Sequence, residues 1–212
     1  MHKLRMIGLL LLLWSSMFSI CMCCCRDHKE ALLRFKSSLI RVSSNSNDEI
    51  LFDLESWNSN SDCCQWERIT CDESSIRSSS PSKPVVIGLD LSNLYINTFS
   101  LLMPIFNIST LTKLDVSRNF LHGEIPVSQL SNLSRLTYLD MSYNNLDGSI
   151  PCQLFTLRNL QHLDLSGNSF HGEFLSGNLK FLNLAGNFLS GKFQSETADR
   201  FTKLLKRRFN NK

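Results

Sequence analysis

From Leu111 onward, apolar and polar positions recur in one order four times: LTKLDVSRNFLHGEIP from Leu111, LTYLDMSYNNLDGSIP from Leu136, LQHLDLSGNSFHGEF from Leu160 and LKFLNLAGNFLSGKF from Leu179. The matching Leu114, Leu139, Leu163 and Leu182 advance the register by 25, 24 and then 19 residues. Such a period marks a stacked architecture in which each unit buries its apolar face only against its neighbours. Side chains alternate along a strand, so Leu114 and Val116 point inward while Asp115 points out. Each copy is therefore predicted to give one short strand to a parallel sheet, and the whole reads as an α/β solenoid. Asn119, Asn144, Asn168 and Asn187 follow at a fixed offset, where the turning chain leaves backbone groups without ladder partners. A buried amide serves donors and acceptors alike, so these four form an asparagine ladder. Gly123, Gly148, Gly172 and Gly191 mark the next bend, and the Ile-Pro pairs at 125/126 and 150/151 suit an extended, donor-poor edge.

The full L-x-L-S-x-N-x-L-x-G-x-I-P wording resembles the plant extracellular subclass of leucine-rich repeat proteins, because the Gly-x-Ile-Pro ending lies outside the general repeat frame. Upstream, C-R-D-H-K-E-A-L-L-R-F-K, L-E-S-W-N and D-C-C-Q-W-E-R-I-T-C-D are similar to the amino-terminal cap of plant receptor-like proteins and polygalacturonase-inhibiting proteins. The resemblance, which runs from about Cys25 to Phe193, implies a horseshoe with its parallel sheet on the concave face and a disulfide-linked helical cap. A cap also makes physical sense, since Ala31, Leu32, Leu33, Phe35 and Leu39 form an apolar stripe at helical spacing, able to cover the first repeat. Trp57 and Trp66 are expected between that helix and the first strand. The expected layout is a signal peptide over 1–21, the cap over 22–84, about five repeats over 85–193, and a divergent basic tail over 194–212.

Eight cysteines in 212 residues leave free thiols, metal ligands or disulfides open. Metal is the weakest of these, because no C-x-x-C is joined to a second one or to a histidine pair. The family resemblance implies Cys25 paired with Cys63 and Cys64 with Cys71, with Cys152 left without an evident partner. His2, Lys3 and Arg5 precede an apolar run from Met6 to Trp14, of signal-peptide rather than spanning length, with cleavage expected near residue 21. Export agrees with disulfides. It also makes Asn107-Ile108-Ser109 and Asn132-Leu133-Ser134 glycosylation acceptors.

The outward strand positions form the candidate recognition face. One column runs Lys113, Tyr138, His162, Phe181; a second runs Asp115, Asp140, Asp164, Asn183; a third runs Arg118, Tyr143, Gly167, Gly186. Aromatic and charged side chains on a solenoid face suit a protein, peptide or glycan ligand. Two carboxylates at strand spacing resemble a retaining glycosidase pair, but a framework position on an open face offers no pocket to raise one pKa, so no enzyme activity is expected. No nucleotide, kinase or zinc motif is present, and neither metal nor cofactor is expected. A net charge of +3 supplies no stripe for nucleic acid. Lys203, Lys206, Arg207, Arg208 and Lys212 read as a solvated tail, and the serine-rich stretch from Ser74 to Lys83 as a loop.

Departures from the family pattern lie at both ends. Leu94 stands where the first ladder asparagine belongs, so the ladder is expected to break there, and the unit before Leu182 is about five residues short. The sequence ends without a closing cysteine pair, a membrane span or a kinase domain, and reads as a truncated member. The expected function is a recognition ectodomain of the receptor-like type, in defence or development, with a co-receptor kinase as signalling partner. Its expected location is outside the cell or on the outer face of the plasma membrane. A secreted inhibitor of a cell-wall pectinase and a fragment without function are the alternatives.

Overall fold

The computed structural model describes residues 24–42, 53–72, 83–172 and 179–190. The signal peptide, Cys21, Cys23, most of the serine-rich stretch, the shortened segment before Leu179, Gly191, Phe193 and the basic tail lie outside the described residues. In chain order the elements are helix α1 (Arg26–Val42), strands β1 (Ile69–Asp72), β2 (Val85–Asp90), β3 (Lys113–Asp115) and β4 (His122–Gly123), and the short helix α2 (Val127–Leu130). Then come β5 (Tyr138–Asp140), β6 (Asn145–Leu146), β7 (His162–Asp164), β8 (His171–Gly172), β9 (Phe181–Asn183) and β10 (Phe188–Leu189).

Six strands form one sheet in the order β1-β2-β3-β5-β7-β9, parallel from β2 onward. Its register aligns Leu89, Leu114, Leu139, Leu163 and Leu182 as one row. All five are buried, as are Leu91, Val116, Met141 and Leu165 two positions on. Each fully buried leucine contributes about 1.5–3 kcal/mol, and the row recurs because the repeat recurs. The paired two-residue strands β4 with β6 and β8 with β10 follow the inward turn of each coil. This is the leucine-rich repeat solenoid, with the parallel sheet as its concave face.

The asparagines work one coil backward. Asn119 Oδ1 accepts from the Leu94 and Ile96 N–H groups, both at 3.0 Å, while Nδ2 donates to Leu91, Val116 and Ser117 carbonyls at 2.9 to 3.1 Å. Asn144 and Asn168 repeat the arrangement toward Leu121 and Leu146. The expected break at Leu94 is therefore corrected: Asn119 satisfies that coil. An asparagine at 94 would have no parallel coil behind it to serve, so a fully buried leucine sits there instead.

What lies behind is the cap. Strand β1 pairs with β2 antiparallel, shifting register between Thr70 and Cys71. Leu32, Phe35 and Leu39 bury one face of α1, with Ala31 and Leu33 partly buried beside them. Phe35 meets Trp57 at 6.2 Å, and Trp57 stacks on Trp66 at 5.6 Å. Both indoles keep a partner for their N–H: Trp57 donates to Glu67 O and Trp66 to Ser61 Oγ. Lys36 Nζ donates to the Leu54 and Trp57 carbonyls, holding the intervening turn to the helix.

The first disulfide differs from the expected one. Cys24, not Cys25, bonds Cys63, across a Cα separation of 5.5 Å. Asp62 decides this: its Oδ1 accepts from the Cys24 N–H at 2.7 Å and from the Cys64 N–H at 3.1 Å, which seats the buried Cys24 beside Cys63. Cys25 is turned to a different task. Its N–H donates to Pro84 O and its carbonyl accepts from the Lys29 N–H in the first turn of α1, and its thiol is free. Cys64 is bonded to Cys71, and Cys152 is a free, exposed thiol. The sulfurs gathered around Asp62, those of Cys24, Cys63 and Cys64, are thus committed to disulfides and not presented as thiolate ligands.

Candidate concave recognition face

Parallel pairing puts the outward residues in rows about 4.8 Å apart. Lys113, Tyr138, His162 and Phe181 occupy neighbouring register positions. They make a continuous pile: Lys113 Nζ lies 5.0 Å from the Tyr138 ring centre, Tyr138 stacks on His162 at 4.2 Å and 13°, and His162 on Phe181 at 4.1 Å and 3°. Each ring holds the next flat, and the cation caps the open end. Burial and the nearby Asp140, Asp115 and Asp164 carboxylates push the Tyr138 hydroxyl up to about 12, so it stays protonated and donates to Asp140 Oδ2 at 3.3 Å.

The aspartate row is part of the frame. Oδ1 of Asp90, Asp115, Asp140 and Asp164 accepts from the N–H two residues on, at 2.9 to 3.0 Å, closing the turn that ends each strand. Asn183 does the same toward Ala185 and donates from Nδ2 to Asp164 Oδ2. Burial raises the Asp115 pKa, the Ser117 hydrogen bonds oppose that, and the charges of Asp140 and Asp90 add to it. Asp90 is the member with a cation, Arg68, at 3.7 Å.

The third row carries backbone strain. Arg118 and Tyr143 hold φ of 55° and 53°, while their equivalents Gly167 and Gly186 hold 64° and 68°. The position demands a left-handed conformation, which glycine adopts freely and a side chain adopts at a cost of about 1–2 kcal/mol. Arg118 lies over the Tyr143 ring at 5.4 Å, and that ring lies so close to Gly167 that an added Cβ would meet it at 2.9 Å. Glycine at 167 thus gives both the φ and the space for Tyr143 to lie down.

All nine residues expected on this face fall on its three rows, and the ladder asparagines lie beneath. A fourth row escaped the sequence reading. Tyr95 and Phe120 each follow the ladder position, stand 43% and 55% exposed, and meet at 5.9 Å. Their signal was an aromatic directly after the ladder position, where Asn145 and Ser169 stand on the next two coils and the 74% exposed Phe188 on the one after. Asn107 and Asn132 lie away from the sheet and are exposed, the first ending a short helical turn and the second following one, each followed by a buried residue and an exposed serine.

Comparison with known proteins agrees with this architecture. Residues 26–72 match the Leucine rich repeat N-terminal domain family, and 109–170 and 178–199 match the Leucine rich repeat families. Receptor-like protein 46 of Arabidopsis thaliana is 42% identical over 106 residues, covering 49% of this chain but 12% of that relative. Among solved structures, the BIR3–SERK2 complex from Arabidopsis thaliana superposes with a TM-score of 0.57 at 31% identity, covering 80% of this chain and 86% of that one. The leucine-rich repeat ectodomain of the Arabidopsis receptor kinase HAESA, solved with an N-terminally extended IDA peptide hormone, gives 0.60 at 29%, covering 79% of this chain and 27% of that one. With a cap family and repeat families matching along one solenoid, the chain belongs to the leucine-rich repeat family and is similar to plant receptor-like proteins.

Proposed function

We propose that this chain is a recognition ectodomain outside the cell and that its concave face binds an extended peptide in defence or developmental signalling. One observation carries the reading: the Lys113–Tyr138–His162–Phe181 pile runs across four strands beside a row in which Arg118 and Tyr143 keep strained backbones. Framework needs alone would favour glycine at 118 and 143, as at 167 and 186. Strain retained with large side chains is a mark of a working surface, and Tyr and Arg are the residues that dominate peptide and protein interfaces. The rows also change along the solenoid, from projecting side chains at 118 and 143 to bare glycine at 167 and 186, which suits a strand-like ligand with a fixed direction. The peptide recorded on the similar HAESA ectodomain supports this class of ligand, and the similar BIR3–SERK2 complex supports a co-receptor kinase as second partner.

The test is panning of a phage-displayed library of random dodecapeptides on the exported chain, followed by binding of the enriched peptides to variants. Loss of at least tenfold in affinity is expected for Tyr138→Ala and Arg118→Ala, with no change for Arg135→Ala on the opposite side. Enriched peptides that bind the Lys113→Ala/Tyr138→Ala/Phe181→Ala triple variant as well as the parent would overturn the assignment.

A further inference from the structure

The side of the molecule opposite the sheet carries a second ordered feature. Asn107-Ile108-Ser109 and Asn132-Leu133-Ser134 are one repeat apart, so they occupy equivalent places on successive coils. In both, the central residue is buried, Ile108 at 1% and Leu133 at 0%, while the asparagine and serine on either side are exposed. Turn geometry explains this: Asn107 ends the turn Ile105–Asn107, and Asn132 follows α2, where its N–H donates to Gln129 O at 3.2 Å. The apolar residue anchors each turn to the core. Both polar members are thereby held outward on the same edge.

Asn107 and Asn132 also line one groove, of about 460 Å³, between α1 and the first two outer connections. Asp27, Glu30 and Arg34 of α1 rim it on the cap side, and Met103, 43% exposed, lies on the repeat side. Apolar floor and charged rim together suit a sugar, whose C–H faces pack on apolar groups while its hydroxyls reach carboxylate and guanidinium.

We propose that the first sugars of the N-linked oligosaccharides on Asn107 and Asn132 lie in this groove and bridge the cap to the repeats. The donor is a lipid-pyrophosphate-linked oligosaccharide with an N-acetylglucosamine at its reducing end. The bond from its anomeric carbon to pyrophosphate oxygen breaks, and the bond to asparagine Nδ2 forms. The amide releases one proton to solvent, and the lipid pyrophosphate leaves with the bonding pair. The proposal rests on the extracellular reading, since the donor is met on the secretory route, and it is independent of any ligand on the concave face.

The full chain is expressed in plant cells, and the exported and membrane-bound fractions are treated with peptide N-glycosidase in heavy-oxygen water, which marks each formerly glycosylated asparagine as labelled aspartate. Label at both 107 and 132 is expected. Exported protein unlabelled at either site overturns the double modification and leaves the extracellular reading standing; protein that never enters the export route overturns both. The groove is tested through Met103, by mild peroxide oxidation followed by peptide mass analysis. The Ser109→Ala/Ser134→Ala double variant keeps both asparagines but lacks both acceptor motifs, and its Met103 is expected to oxidise at least threefold faster than in the glycosylated parent. Equal rates would place the sugars in open solvent and overturn the bridging.

Discussion

Replacing Asn119 with alanine tests the physics of the ladder, because this side chain serves two coils at once. Its loss strips the buried Leu94 and Ile96 N–H groups of an acceptor and the Leu91 carbonyl of a donor. Two other groups are spared: Val116 O still receives Asn144 Nδ2, and Ser117 O still receives the Asn93 N–H. Three stranded groups at about 1–3 kcal/mol each, reduced by relaxation and water entry, give a loss of about 3–5 kcal/mol. Asn187 makes the same kind of contacts, to Phe170, Leu165 and Leu184, but is only half buried, so water replaces them and alanine there costs about 1 kcal/mol. Leu94→Asn restores the repeat wording yet should destabilise by about 2–4 kcal/mol. It removes a buried leucine and sets down an amide whose oxygen has no parallel coil behind it to accept from, since β1 pairs antiparallel there. Urea titration of the purified chain, followed by the fluorescence of the cap tryptophans and by circular dichroism, measures all three. Equal losses at 119 and 187, or a gain in stability from Leu94→Asn, would refute the account of a ladder that works one coil backward.

Gly167→Ala should cost more than Gly123→Ala, because both hold positive φ but only the first sets a Cβ against the Tyr143 ring, and the excess should vanish in a Tyr143→Ala background when melting temperatures are compared. The cap should weaken in mild acid. His28 Nδ1 accepts the Val86 N–H at 3.2 Å, and burial, opposed by Asp27, lowers its pKa below the usual 6.5. The unfolded chain therefore takes up the proton first, so this stability is complete above about pH 6.5 and declines as pH falls toward the lower folded value. His28→Asn, which keeps an acceptor but cannot titrate there, should flatten the decline in urea midpoint between pH 7.5 and 5.0; an unchanged slope would count against it. Non-reducing peptide mapping of Cys25→Ser should recover both Cys24–Cys63 and Cys64–Cys71, whereas a free Cys63 in that variant would reinstate Cys25 as the partner.

Repeat spacing alone dictates the solenoid, because it is a local signal: leucines 25 and 24 residues apart return to the same row whatever else the chain does. It likewise placed Lys113, Tyr138, His162 and Phe181 on one face and the ladder asparagines beneath, since constant offsets from the leucines become constant positions on the coils. Tertiary structure decided what spacing leaves degenerate. Cys24 and Cys25 are neighbours in sequence, and only the Asp62 carboxylate beside Cys63 selects between them. Leu94 looked like a fault until the direction of the amide bonds and the antiparallel β1 behind it were known. The flat stacking of Tyr138, His162 and Phe181 and the resting of Tyr143 over Gly167 depend on rotamers and on φ. The common groove of Asn107 and Asn132 needs α1 laid against the outer connections. All of these depend on the direction in which neighbouring side chains point across the stack, and that direction is fixed only when the coils pack.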